Sequence, residues 1–261
     1  MKINKSAARV VDILELLANN EEPLGITEIS NSLNIPKSST FDIVYTLVEK
    51  SFLEIADERL RTFKLGLKIF TIGATFLRKG NLIQIVRPYL ERVMQETQDT
   101  VFLAVENNAD IVYLDKVEPI CEGIKTTATL GGTNPMSITG LGRAILSTYS
   151  PEKVKKIVGE DPLITKTKYS INNYNDLMKE LDFTRKRGYA IDIRESQEEI
   201  CCVAAPIYDY SNEAIAAISI ASLAYKMDET RQKELGNIIV RTALEISAKL
   251  GFAGNKLYFY R

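Results

Sequence analysis

Apolar residues follow two rhythms along this 261-residue chain, one of three to four residues and one of two. From about Ser6 to Ala18, the residues Val10, Ile13, Leu14 and Leu17 trace one face of a helix. Ile29 and Leu33, four apart, mark a second short helix, with Thr27 placed to cap it through its hydroxyl. Asn34 tolerates the left-handed backbone of a tight turn, Ile35 plugs that turn, and Pro36 suits the start of the next helix. In that helix Ile43, Val44, Leu47 and Val48 form the buried stripe. Lys37, Ser38, Ser39 and Thr40 stand at its N-terminal end, and Lys37, Ser38, Thr40, Phe41, Asp42 and Tyr45 are left for the outer side. The rhythm then shortens. Phe52, Leu53 and Ile55 suit a strand, Ala56 to Arg61 a polar loop carrying Arg59 and Arg61, and Thr62 to Leu65 a returning strand. This order is a winged helix-turn-helix, whose second helix fits a DNA major groove. Short hydroxyls and a cation at a helix start meet phosphates and base edges, and wing arginines meet phosphate or the minor groove.

Beyond Gly66 the pattern is helical again. Leu67 to Lys79 reads as a linker helix, with an apolar surplus at Leu67, Phe70, Ile72, Ala74 and Leu77 that suits pairing with a second chain, and Gly80-Asn81 breaks it. Leu82 to Gln98 is a helix, and Val101 to Glu106 and Ile111 to Lys116 are strands joined around Asn107-Asn108. Gly140 to Tyr149, Pro151 to Val158 and Tyr174 to Arg187 read as helices. Tyr189 to Ile193, Cys202 to Tyr208 and Ile215 to Ala221 read as strands, before a long last helix capped by Asp228. Strand pairs alternating with helices imply an antiparallel sheet flanked by helices, hence an α+β multidomain chain. The expected division is a DNA-binding domain at 1–66, a linker helix at 67–80, a second domain at 81–251 and an aromatic tail at 252–261.

Charge and composition narrow the chemistry. The whole chain carries a formal charge of −1. Over residues 1–66, eight cations face ten anions, a net −2, which predicts modest non-specific DNA affinity with a strong salt dependence. Histidine is absent, which removes Ser-His-Asp and Cys-His catalysis and His-ligated metals. Cys121 stands alone and Cys201 and Cys202 are adjacent, so neither a zinc-ligand spacing nor a disulfide framework is present, and a reducing cytoplasm is expected. No apolar run is long enough to span a membrane, and no phosphate-cradling loop or other cofactor motif is found. Two competing classes remain: an enzyme using the Cys202 thiol, which would need an activator other than histidine, and a protein-interaction module.

The segments ITEISNSLNIPKSSTFDIVYTL, FKLGLKIFTIGATFL, VRPYLERVMQETQDTVFLAV, IVYLDKVE, TGLGRAIL, TRKRGYAID, CCVAAPIYD and AAISIAS occur in that order over nearly the whole chain. Together they resemble the IclR family of bacterial transcriptional regulators. The resemblance implies a winged helix on double-stranded operator DNA, a linker helix, and a GAF-like C-terminal domain that binds a small organic acid. It also implies self-association as dimers or tetramers. Carried over residue by residue, it places Gly140 and Leu141 of TGLG, Asp192 of GYAID, Cys202 and Ser219 at the effector, with no catalytic role for any of them. A helix start offers unpaired amides to a carboxylate, so the expected pose has the acid on Gly140 and Leu141 and a hydroxyl or donor at the far end against Asp192. Three positions depart from the family pattern: Ala221 replaces a pocket serine, Cys201 replaces an arginine beside the pocket cysteine, and Asp42 stands where many relatives carry arginine in the recognition helix.

Overall fold

A computed structural model describes residues 3–79, 81–120 and 128–258, and of residues 74–79 and 81 the backbone alone. Gly80, Cys121, the side chains of Ala74 and Leu77 and the last three residues of the tail lie outside that description. The chain forms two compact units, Met1–Asn81 and Leu82–Arg261.

The first unit runs α1 (Lys5–Ala18), β1 (Leu24–Gly25), α2 (Ile26–Leu33), α3 (Lys37–Glu49), β2 (Leu53–Asp57), β3 (Thr62–Leu65) and α4 (Leu67–Lys79). Ile13, Leu17, Ile29, Ile35, Val44, Leu47, Leu53 and Phe63 make its core, so the apolar stripes of three helices and the wing close on one another. The α2 cap differs from expectation. Gly25 holds that place and Thr27 lies inside the helix; the Glu28 carboxylate accepts the Gly25 amide at 2.7 Å. The reason is β1, a two-residue strand on β3 that runs straight into the helix. The turn after α2 is closed by Asn34 at φ 51°, by Ile35 N–H donating to Ser30 O at 3.0 Å, and by Ser30 Oγ donating to Ile35 O at 2.6 Å. At the wing tip Asp57 Oδ1 accepts Leu60 N–H at 2.8 Å, and Arg61 takes a left-handed conformation, φ 51°.

The second unit contains α5 (Asn81–Thr97), β4 (Thr100–Asn107), β5 (Asp110–Val117), β6 (Thr133–Pro135), α6 (Gly140–Leu146), α7 (Pro151–Val158), α8 (Tyr174–Arg187), β7 (Ala190–Ile193), β8 (Ile200–Tyr208), β9 (Ala214–Leu223) and α9 (Glu229–Lys249). Six antiparallel strands lie in the order β6-β5-β4-β9-β8-β7. α6 ends at Leu146 and not at Tyr149, because Thr148 and Tyr149 bond back to Ile145 and Leu146 in tighter turns. One sheet face packs Val101, Leu103, Val203, Ile218 and Ile220 against α5 and α9. The other sets Phe102, Ala104, Ala204, Ala217 and Ala221 against α6 and α8. The described part of the tail belongs to the first of these cores: Phe252 and Leu257 are buried there, and the Phe252 ring stacks on Tyr208 with centroids 4.9 Å apart. Among the described residues no helix is long and apolar enough to cross a membrane.

Candidate functional site

Two places concentrate polar chemistry. The first is the outer side of α3 with the wing. Lys37, Ser38, Phe41 and Asp42 are exposed there, Ser39 and Tyr45 are half-buried, and Arg59 and Arg61 are exposed on the wing. Thr40 corrects the sequence reading. It is 0% exposed, and its hydroxyl donates to Pro36 O at 3.2 Å. The buried residues of α3 are Thr40, Val44 and Leu47, spaced i, i+4, i+7, so Thr40 fills the inner face one turn before the apolar stripe begins. Continuing that spacing backward from Leu47 was the signal to find it. Tyr45 links the two sides: its ring lies 4.4 Å from Phe41 and meets Phe63 edge-on at 5.7 Å.

The second place is a cavity of about 120 Å³ on the α6 face of the large sheet. Every strand of the sheet lends it a side chain: Asn134 of β6, Tyr113 of β5, Phe102 of β4, Ser219 and Ala221 of β9, Cys202 of β8 and Asp192 of β7. Pairing explains the grouping. Asp192, Cys202 and Ala221 are direct cross-strand partners, and so are Ala204, Ser219 and Phe102 one step along. Gly140 and Leu141, the first residues of α6, close the space from above. A methyl group on Gly140 would sit 3.4 Å from Ala204 Cβ, 3.5 Å from Cys202 Cβ and 3.7 Å from Asp192 N, so the helix start rests almost on the floor. At Gly142 it would meet Met136 Cα at 2.3 Å, a distance only glycine allows. Thr139 caps the helix, its Oγ1 accepting Gly142 N–H at 3.1 Å.

All five effector residues expected from sequence, with Ala221, therefore line one cavity. Asp192 and Gly140 are neighbours in its wall through the Asp192 backbone nitrogen. Asp192 is 1% exposed. Its Oδ1 accepts Glu195 N–H at 2.8 Å and its Oδ2 accepts Ser196 Oγ–H at 2.6 Å. Burial outweighs these bonds and lifts its pKa from 3.8 to about 6. Burial also pushes the Cys202 thiol well above its ordinary range, and the nearby Asp192 charge adds to that, so the thiolate a nucleophile needs is disfavoured. Tyr113, buried and accepting from Asn134 Nδ2 at 3.1 Å, is raised to about 12.

Sequence reasoning missed two charged residues here. Arg143, in the second turn of α6, is 1% exposed and forms a bidentate pair with the buried Glu195, while donating to Ser137 O at 2.9 Å and Ile191 O at 3.1 Å. Glu195 also accepts Ile171 N–H at 3.0 Å. The signal was an arginine amid Leu141, Ala144, Ile145 and Leu146, since a fully buried guanidinium requires a partner. Lys166 was the other. It stands at the cavity with its ammonium on Asn134 Oδ1.

Comparison with known proteins agrees with this architecture. The family model of the IclR helix-turn-helix domain matches residues 6–55, and that of the C-terminal part of the bacterial transcriptional regulator IclR matches residues 74–248. The chain is 31% identical over 249 residues to the acetate operon repressor of Salmonella typhimurium, covering 95% of this chain and 90% of that protein. It is 28% identical over 244 residues to the HTH-type transcriptional repressor AllR of Escherichia coli, covering 93% and 89%. Among solved structures, the IclR of Thermotoga maritima aligns with a TM-score of 0.76 at 30% identity over 95% of this chain and 99% of that one. An IclR homologue of Microbacterium hydrocarbonoxydans complexed with 4-hydroxybenzoate shares the fold, with a TM-score of 0.79 at 22% identity over 94% and 98%.

Proposed function

We propose that this chain, which belongs to the IclR family of bacterial transcriptional regulators, is a repressor whose hold on operator DNA is set by a small organic acid. Residues 1–66 read DNA, 67–80 join chains, 81–251 bind the effector, and 252–261 form a C-terminal tail. Lys37, Ser38, Ser39, Phe41, Asp42 and Tyr45 face the major groove, and Arg59 and Arg61 reach the backbone or minor groove. The repressing sign rests on the relatives, whose names are those of repressors.

The observation that carries the effector half is the cavity that Gly140, Leu141, Asp192, Cys202 and Ser219 all line. At about 120 Å³ it is far smaller than the roughly 300–1,000 Å³ of sites for drug-sized ligands, and slightly below a 150 Å³ hole that holds benzene. An acid of two to four carbons suits it. The bound acid shifts the dimer between two arrangements, and that shift changes the spacing of the two reading heads. α4 pairs the chains, since Leu67 and Phe70 are each 69% exposed and Ile72 is 50% exposed. The protein acts in the cytoplasm, as a dimer or a dimer of dimers.

The test starts from a random duplex library. Bound sequences are selected with the full-length protein, footprinted, and challenged with glyoxylate, pyruvate and lactate. Two protected half-sites a whole number of helical turns apart, released by one of the acids, are expected. Binding without sequence preference would overturn the regulator reading, and a footprint indifferent to every acid would overturn the effector reading.

A further inference from the structure

We propose that Lys166 is the anion-recognising residue of the cavity and its latch: the effector's carboxylate takes the ammonium from Asn134 at the mouth, while the uncharged polar end lies inside, beside Gly140, Asp192 and Ser219. The proposal rests on the effector reading above and reverses the orientation that a helix start alone suggests.

Charge gives the orientation. Among the described lining residues Lys166 is the single cation and Asp192 the single carboxylate. The Asp192 backbone nitrogen and the Cβ of its cross-strand partner Cys202 both face Gly140, so an acid placed on the helix-start amides would have the one lining residue that carries a carboxylate as its neighbour. A ketone or hydroxyl there meets donors and acceptors with no like charge. The anion belongs at the other end, where the cation is.

Connectivity makes Lys166 a latch and not a surface cation that happens to be near. The loop carrying it is pinned to the turn after β7: Thr167 Oγ1 donates to Arg194 O at 2.8 Å, and Ser170 Oγ donates to Glu195 O at 2.8 Å. Ser170 Oγ also accepts Lys166 N–H at 3.1 Å, fixing where the side chain leaves. From that anchorage at the β7 edge, the ammonium reaches Asn134 on β6, the opposite edge strand, and Asn134 is held in turn by Tyr113. The lysine thus bridges the mouth between the two borders of the sheet. Its partner there is a neutral amide oxygen, and a carboxylate is the stronger acceptor for an ammonium. A monocarboxylate entering the cavity would exchange that bond for a charged one and draw the loop, with the Asp192–Glu195 turn attached to it, over the ligand.

Calorimetry on the full-length protein tests this, with wild type, Lys166→Met, Lys166→Arg and Ser219→Ala titrated with glyoxylate, pyruvate, lactate and the neutral lactamide. At least one acid should bind wild type. Lys166→Met should weaken it about tenfold or more, Lys166→Arg should restore most of that loss, and lactamide should not distinguish wild type from Lys166→Met. An acid that binds Lys166→Met as tightly as wild type, yet loses affinity in Ser219→Ala, overturns the latch and leaves the cavity reading standing. Absence of binding by every acid to wild type overturns both. Lys166 is exposed, so its replacements disturb no core; thermal melting without ligand verifies that each variant is folded.

Discussion

The two faces of the large sheet are made by the same strands and solve opposite problems. On β9, Ile218 and Ile220 point into the core under α5 and α9, while Ala217, Ser219 and Ala221 point toward α6. On β4 the alternation is Val101 and Leu103 against Phe102 and Ala104. Branched side chains fill one face. Alanine, serine and cysteine leave space on the other, and Gly140 lets a helix start come down onto it. A strand's period of two allows one sequence to specify close packing and a hollow together. The hollow face then needs another source of order, and the buried Arg143–Glu195 pair supplies one.

That pair gives the largest expected effect. Arg143→Met leaves Glu195 buried without its cation and should cost about 3–5 kcal/mol in urea unfolding. Combining it with Glu195→Leu should recover much of the loss, and a single variant as stable as wild type would remove the pair from the account. Next comes a direct contrast of faces. Ile220→Ala should cost about 2–5 kcal/mol, whereas Ala221→Val, its neighbour on the hollow side, should change stability by less than about 1 kcal/mol and abolish acid binding by calorimetry. Equal destabilisation by both would mean the hollow face is packed after all.

Asp192 adds a pH signature. Its proton is held more tightly in the folded chain, about 6 against 3.8. Its contribution to stability is therefore complete below about pH 4 and is lost as pH rises through about 6, a total of roughly 3 kcal/mol. Wild type should lose stability relative to Asp192→Asn between those limits, and a constant difference would show that the carboxyl is not raised. The smallest effects lie on α3, where the same division of faces applies. Thr40→Val should leave DNA affinity within about twofold, since the residue faces the core. Arg61→Ala should lower the salt slope of binding by about 1. A strong loss from Thr40→Val would return that residue to the interface.

Periodicity reveals elements better than it reveals what lies between them. α4, α7 and α8 fall where the apolar spacing predicts. β1 and β6, two and three residues long, are too short to show any period, and β1 is why Gly25 displaces Thr27 as the cap. Alternation identifies Ser219 and Ala221 as facing one way, but it cannot say whether that side is core or cavity; only the family pattern could. Lys166 was invisible because its place at the cavity shows only in its contact with Asn134, 32 residues away. Thr40 was misread because a hydroxyl on an inner face is judged by its polarity, while its bond to the preceding turn satisfies it.

Each of the six strands contributes to the cavity through positions that its opposite face does not use. A substitution at Ser219 or Cys202 changes the wall of the cavity without touching Val203, Ile218 or Leu103 on the opposite, close-packed face. Recognition and foldability are thus written on alternate letters of the same words. On the proposed function, a gene copy can change its ligand one rung at a time while the close-packed face keeps its side chains.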